Sequence, residues 1–268
     1  MLIVGELINT SRKKINMAVE NRDAEYIKDI AKEQVAAGAN YIDVNCGTQV
    51  ENEVETMEWL VNCIQEVVQV PLCFDSPNPQ VIEAGLVIAK YGQPMINSIT
   101  AERERYNQIL PLVLKYNTKI VALCMDDNGM PETAIERIVI VGKLYKLMKE
   151  AGVQEDDMYF DPLVKPISVN SDSGKEVMDT VRLISQEYPN VHKICGLSNV
   201  SYGLPNRPFL NRIFMNQTMA MGMDAYILNP LDQVMMASLY GAMALTGKDS
   251  FCMGYLNAHR QGLYENIK

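Results

Sequence analysis

Histidine is almost missing from this 268-residue chain: only His192 and His259 occur. A metal-dependent hydrolase barrel draws on more imidazole than that, because neutral histidine is the commonest ligand for zinc-like ions. The six cysteines, at 46, 63, 73, 124, 195 and 252, form no CxxC pair. That spacing argues against a zinc ribbon or an iron–sulfur cluster, and no metal site is expected. Cys73, Cys124 and Cys195 fall inside apolar runs and read as buried reduced thiols. Positive charge is scarce as well. With 24 basic against 33 acidic residues and a formal charge of −9, the chain has no basic footprint for nucleic acid. No apolar run approaches the roughly 18 residues of a membrane span. The start, MLIVGELINT, lacks a charged region ahead of a long apolar stretch. A cytoplasmic protein is expected, with neither a membrane nor a nucleic acid as partner.

What the chain does have is apolar mass in a regular rhythm. It is 48% hydrophobic, enough for one core of the size that α/β barrels build. Short apolar runs at 2–8, 40–45, 71–75, 94–97, 119–125, 158–161, 193–198 and 224–228 read as strands. Between them, apolar residues recur at helical spacing: Ile27, Ile30, Ala31 and Val35; Val54, Met57, Leu60, Val61, Ile64, Val67 and Val68; Val177, Val181 and Ile184. Gly38, Gly92, Gly152 and Gly222 sit where helices stop and want a left-handed residue. Eight strands separated by helices, with room for one helix per unit, predict an α/β fold of the closed (β/α)8 TIM barrel type. No GxGxxG follows a strand to suggest a dinucleotide fold. The barrel should occupy residues 1–246, and 247–268 reads as a C-terminal extension packed on the barrel or on a partner subunit.

In such barrels the active site lies at the C-terminal ends of the strands. Those ends here repeat one theme: Glu6 and Asn9, Asp43 and Asn45, Asp75, Asn97 with Ser98, Asp161, Ser198 and Asn199, Asn229. Carboxylates and amides dominate. Asp and Asn are also good loop and cap residues, but capping alone would use Ser and Thr as often. An ionised carboxylate only accepts, whereas an amide both accepts and donates in one plane. Such a ring suits a flat heterocycle with fixed donors and acceptors, of which a pterin is one.

The motifs GELIN (5–9), DVNCG (43–47), CFDSPN (73–78), PMINS (94–98), FDPLV (160–164), GLSNVS (196–201) and NRPFLNR (206–212) cover nearly the whole chain in order. Together they resemble the methyltetrahydrofolate:corrinoid protein methyltransferases. The same pterin-binding barrel occurs in cobalamin-dependent methionine synthase and, more distantly, in dihydropteroate synthase. The resemblance implies a substrate, tetrahydrofolate or methyltetrahydrofolate, and a corrinoid (cobalamin) carried by a separate corrinoid protein. It implies that Asp161 accepts from the N3–H and 2-amino edge of the pterin. Asp75 and Asn97 would hold other polar ring atoms, Gly196 would let the ring approach the backbone, Ser198 would add a polar contact, and Ile227 would supply an apolar wall. Asn199 is the catalytic candidate. Methyl transfer away from N5 leaves a poor amine leaving group, and a neutral amide can donate to N5 as charge develops. The nucleophile would be the cobalt of the corrinoid, so the chain needs no nucleophilic side chain of its own.

Two positions depart from the family pattern: Tyr202 stands where relatives often carry an amide, and Ile99-Thr100 follows Asn97-Ser98. Other readings stay open. Asp75 and Asp161 could form a glycosidase pair, which would want aromatic sugar platforms, yet the one tryptophan, Trp59, falls mid-helix. A dihydropteroate synthase would want basic residues near the last strand; Lys165 and Arg207 are the nearest, and each reads as a solvated or ion-paired surface residue. A non-catalytic folate-binding module would need Asp75, Asn97 and Asp161 but not Asn199. The stretch NAHRQG (257–262) mimics a cobalt-ligating DxHxxG loop, but Asn257 replaces its Asp and only six residues follow. His259 is therefore not expected to bind cobalt. The region 234–245 is apolar nearly all round and reads as buried on every side. Family resemblance adds a homodimer.

Overall fold

The computed structural model describes residues 1–265; residues 266–268 of the C-terminal extension lie outside the described residues. Eight strands are present among the described residues: β1 Leu2–Asn9, β2 Tyr41–Asn45, β3 Leu72–Asp75, β4 Met95–Ile99, β5 Lys119–Leu123, β6 Met158–Asp161, β7 His192–Lys193 and β8 Ala225–Leu228. Every pairing is parallel, and the sheet runs β7-β6-β5-β4-β3-β2-β1-β8. The two ends meet in a seam. Asp224 N–H donates to the Lys193 carbonyl at 3.3 Å and Ile227 N–H to the Cys195 carbonyl at 2.9 Å. A single parallel bridge then joins Gly196 to Ile227. The expected (β/α)8 TIM barrel is the fold found.

Ten helices surround it among the described residues: α1 Lys13–Glu20, α2 Ala24–Ala36, α3 Glu53–Gln65, α4 Pro79–Ile88, α5 Arg103–Tyr116, α6 Ala134–Glu150, α7 Ser173–Glu187, α8 Arg207–Ala220, α9 Gln233–Leu245 and α10 Met253–Arg260. Local chemistry starts several of them. The Asp23 side chain caps α2 by accepting from Tyr26 N–H, Asn78 and Pro79 open α4, and Thr133 with Glu136 forms a capping box on α6. The stripe Val177, Val181 and Ile184 is fully buried, and Met57, Leu60, Val61 and Ile64 are likewise. Val54, placed on the same stripe by spacing, is 39% exposed because it lies in the first turn, before α3 meets the sheet.

Three expectations need correction. The first unit carries two helices rather than one, since Arg22 at φ 50° breaks the chain before the Asp23 cap. The seventh strand does not run to 198: it ends at Lys193, and Leu197–Ser201 coils into a 3₁₀ turn. Gly, Ser and Asn there are turn formers whose side chains compete with a ladder. The apolar helix α9 is not buried on every side. Met235, Met236, Ala237, Leu239 and Ala242 face the core, while Leu245 is 90% exposed where the helix runs past the barrel wall. After it, α10 lies against α9 with Ala258 buried, and Gln233 Nε2 donates to the Leu263 carbonyl. No helix among the described residues is long and apolar enough to cross a membrane.

The barrel interior explains where a site can form. Val4, Tyr41, Cys73, Met95, Val121, Tyr159, Ile194 and Ala225 make one buried cluster, one residue from each strand or its immediate extension. This apolar plug seals the barrel from below. Strand side chains alternate, so the next inward residue on each strand lies two positions on. Those residues are Glu6, Asp43, Asp75, Asn97, Leu123, Asp161, Gly196 and Ile227. Polarity switches within a single layer.

Candidate active site

All eight residues of that upper layer line one cavity of about 530 Å³ at the C-terminal mouth of the barrel. Ser98, Ser198, Asn199, Asn9, Ser11, Arg12 and Arg207 complete its wall. Every residue singled out from the sequence is therefore here: Asp75, Asn97, Asp161, Gly196, Ser198, Asn199 and Ile227. A smaller cavity of about 230 Å³ adjoins it and shares Glu6, Arg12, Ser198 and Arg207. The smaller one continues toward Asn211, Asn229 and Asp232 on the β8 side.

Asp161 ends β6 in a buried position, 8% exposed. Its Oδ1 accepts from Leu163 N–H at 2.8 Å, which holds Leu163 at a left-handed φ of 61°. Burial pushes its carboxyl up to about 6, opposed by the Leu163 and Gly196 N–H groups and by the Arg137 cation. Asp75 ends β3 and accepts from Asn45 Nδ2 at 2.8 Å. Burial raises its carboxyl too, while the Asn45 amide and the Arg105 cation pull the other way. Arg105, in the first turn of α5, donates to the carbonyls of Ser98, Pro77 and Ser76 and so ties the loop after β3 to the end of β4.

Asn199 belongs to the 3₁₀ turn after β7, where it is exposed on the cavity wall. A Cβ on Gly196 would stand 3.4 Å from the Asn199 amide nitrogen, so glycine keeps open the space in front of that amide. The turn is anchored from below by Arg207 at the start of α8. Its Nη2 donates to the Ser198 carbonyl at 2.7 Å and its Nε to Ser201 Oγ at 3.1 Å. The same guanidinium lies 5.7 Å from the Tyr202 ring centre.

Arg207 thus corrects its sequence reading: it is a wall residue of the cavity, not a solvated surface ion pair. Lys165 does match that reading, since its Nζ pairs with Glu132 at 2.9 Å. Strand-end reading also missed Arg12, which pairs with Glu6 across the cavity wall. Glu6 and Asp43 belong to the strand-end theme without a ligand role assigned from sequence, and Leu123 lies outside that theme. A step of two residues from each buried strand position would have found all three. Tyr202 is 66% exposed and Ile99 is fully buried in the outer core, so neither departure from the family pattern lines the cavity. Thr100 Oγ1 is engaged with Glu102. Trp59 lies on α3 beside Arg22, and no aromatic ring lines the cavity among the described residues. That leaves the glycosidase reading without its sugar platform. His259 stacks on Tyr264 in the C-terminal extension, away from the cavity.

Comparison with known proteins agrees with this geometry. Residues 5–229 match the pterin binding enzyme family. The chain is 34% identical over 265 residues to the methylcorrinoid:tetrahydrofolate methyltransferase of Eubacterium limosum, covering 98% of this chain and 97% of that protein. It is 28% identical over 242 residues to the methionine synthase of Mycobacterium leprae, covering 85% of this chain but only 20% of that protein. The chain thus corresponds to about a fifth of the methionine synthase. Among solved structures, the dihydropteroate synthase of Xanthomonas albilineans in complex with 7,8-dihydropteroate superposes with a TM-score of 0.67 over 91% of each chain at 15% identity. A dihydropteroate synthase of Coxiella burnetii in complex with pteroic acid gives 0.65 at 14% identity, over 91% of this chain and 94% of that one. At such identities the likeness is one of fold.

Proposed function

The chain belongs to the pterin-binding enzymes and is a methyltransferase among them; on that footing we propose that it moves a methyl group between N5 of tetrahydrofolate and the cobalt of a corrinoid held by a separate protein. The single observation behind this reading is the layer of carboxyl and amide side chains seated on an apolar plug, with an exposed amide at its edge. A reduced pterin is flat, carries donors and acceptors along fixed edges, and is of a size that such a cavity accepts.

In this reading Asp161 accepts from the N3–H and 2-amino edge, Asp75 and Asn97 meet other polar ring atoms, and Ser198 adds a further contact. Ile227 and Leu123 form the apolar part of the seat, and Gly196 leaves the ring room. Each ring group left unpaired in so buried a place would cost about 1–3 kcal/mol, which is how the site selects its ligand. Asn199 donates to N5 as negative charge develops there during methyl departure. The corrinoid supplies the nucleophilic cobalt when its carrier docks at the cavity mouth. The wall offers Asp, Glu, Asn and Arg side chains and no imidazole among the described residues, a donor set suited to the folate substrate rather than to a resident corrinoid.

The decisive measurement is turnover with methyltetrahydrofolate and a reduced corrinoid protein. Asn199→Ala should lose roughly 10²–10³ in rate, the effect of deleting one donor to developing charge, while still binding folate. Undiminished turnover would remove Asn199 from the chemistry, and a non-catalytic folate-binding module would show binding without turnover. Arg12 and Arg207 at the mouth give one reason to assay the dihydropteroate synthase alternative as well. Release of dihydropteroate from a pterin pyrophosphate would support it. A homodimer is part of the proposal too. Its support is the exposed apolar set from the end of α9 onward, including Leu245, Phe251 and Leu256, and light scattering on the purified protein decides it.

A further inference from the structure

One group in the polar layer has no assigned task. Asp43 projects from β2 between Glu6 on β1 and Asp75 on β3, lines the cavity floor, and is only 2% exposed. Its Oδ1 is buried without a hydrogen-bond partner among the described residues. The charged and titratable groups around it are unfavourable to an anion. Glu6 and Asp75 are acidic, and what favours the ionised form is hydrogen bonding from two neutral groups, the buried Cys73 thiol and the Asn97 amide, which burial and the two acids outweigh. The cations of the site are engaged elsewhere: Arg12 with Glu6, Arg105 with three loop carbonyls, Arg207 with Ser198 and Ser201. A buried carboxylate with like charges on both flanks takes up a proton rather than remain ionised. Burial first, and then repulsion from Asp75, holds its pKa well above the ordinary carboxylate range.

We propose that Asp43 is a further substrate-binding residue that works as the carboxylic acid, donating its O–H to an acceptor atom of the pterin ring. This rests on the pterin reading above and gives it a polarity the sequence did not suggest. A ring of ionised carboxylates could meet only the donors of a pterin. Its carbonyl oxygen and unprotonated ring nitrogen need donors, and a neutral acid provides one in a layer that holds no amine or imidazole among the described residues. Carboxylic acids kept neutral at physiological pH by apolar surroundings serve as donors in this way in other active sites. An O–H buried without an acceptor costs about 1–3 kcal/mol, a cost that bound pterin would relieve.

The test combines infrared difference spectroscopy at neutral pH with calorimetric titration of tetrahydrofolate into the wild type, Asp43→Asn and Asp43→Ala. The ligand-free wild type should show the carbonyl band of a protonated carboxyl that Asp43→Asn lacks, and tetrahydrofolate should shift that band. Asp43→Asn keeps a neutral donor of the same shape and should bind within about threefold of wild type. Asp43→Ala should bind about tenfold or more weakly, the effect of one unpaired ring acceptor. Absence of the band at neutral pH, a band indifferent to the ligand, or undiminished affinity in Asp43→Ala would each overturn the proposal. The wild-type spectra need no variant to fold. If the wild type binds no tetrahydrofolate at all, the functional reading falls and takes this inference with it. Binding with an unmoved band sinks the role of Asp43 alone.

Discussion

Replacing Asp161 by Asn should make the empty protein more stable at neutral pH while weakening its hold on pterin. Asp161 is buried, and its carboxyl is displaced from an ordinary 3.8 to about 6. At about 1.4 kcal/mol per pH unit, ionising it in the fold costs about 3 kcal/mol more than ionising it in the unfolded chain. A carboxyl raised in this way favours the folded state fully below about pH 4 and loses that contribution as pH climbs through about 6. By about pH 8 the wild type carries the whole penalty. Asp161→Asn carries none of it and keeps one carbonyl oxygen for the Leu163 N–H. It gives up the bond from Gly196 N–H, worth about 1 kcal/mol. The variant should therefore gain about 2 kcal/mol at about pH 8, or about 4–8 °C in Tm for a chain of this size. Urea unfolding followed through the single tryptophan, Trp59, would measure it. Comparing the two proteins between about pH 4.5 and 8 cancels the other titrating groups. A difference in stability that stays constant over that range, or a variant weaker at pH 8, would refute the reasoning.

Two further predictions concern the frame rather than the site. His192 lies at the lower end of the barrel, with Nδ1 3.0 Å from Asp224 and Nε2 3.1 Å from Asp156, and its pKa is raised, chiefly through the Asp224 hydrogen bond. Its contribution should be complete below about pH 6.5 and fade as pH rises, so His192→Gln should cost about 1 kcal/mol near pH 6, allowing for solvent screening, and close to nothing near pH 9. Unfolding curves at the two pH values check this. Gly222→Ala should cost more than Gly152→Ala by about 1 kcal/mol, readable as a lower Tm: both glycines have positive φ, 115° and 97°, but only at Gly222 would a Cβ collide with Ser185 Oγ.

How much of this was legible in the sequence depended on the range of the forces involved. Strands β1 to β6 and β8 announce themselves as apolar runs because burial on both faces demands it. The left-handed stops at Gly38, Gly92, Gly152 and Gly222 are local and were equally plain. Ile194 and Cys195 look like strand and are buried like strand, yet beyond Lys193 the pairing thins to isolated bonds, Ile194 N–H to Phe160 and Ile227 N–H to Cys195, and no regular ladder forms. The seam to β8 is reduced to a few backbone bonds, a fact decided by barrel closure and not by local propensity. Arg207 was misjudged for a similar reason. A lone arginine before a proline reads as solvent-facing, and nothing local tells that the carbonyl of Ser198 will sit 2.7 Å away. Glu6 and Asp43, by contrast, were within reach, since each lies two residues beyond an apolar position of the plug and alternation does the rest.

That alternation carries a consequence for energetics. The plug and the polar layer are one step apart on the same strands, so the carboxyls of Glu6, Asp43, Asp75 and Asp161 rest on apolar side chains with little room for water beneath. Burial raises all four above the ordinary range, and among the described residues only Glu6 has an ion-pair partner within hydrogen-bond reach. Stability alone would favour apolar residues or amides at these positions. Their presence makes sense if a ligand brings the missing donors and acceptors, so that the layer is satisfied only when filled. The empty barrel then holds its acids at a cost that binding relieves. The same group that limits stability above about pH 6, Asp161, should be the one whose removal most weakens the grip on the pterin edge.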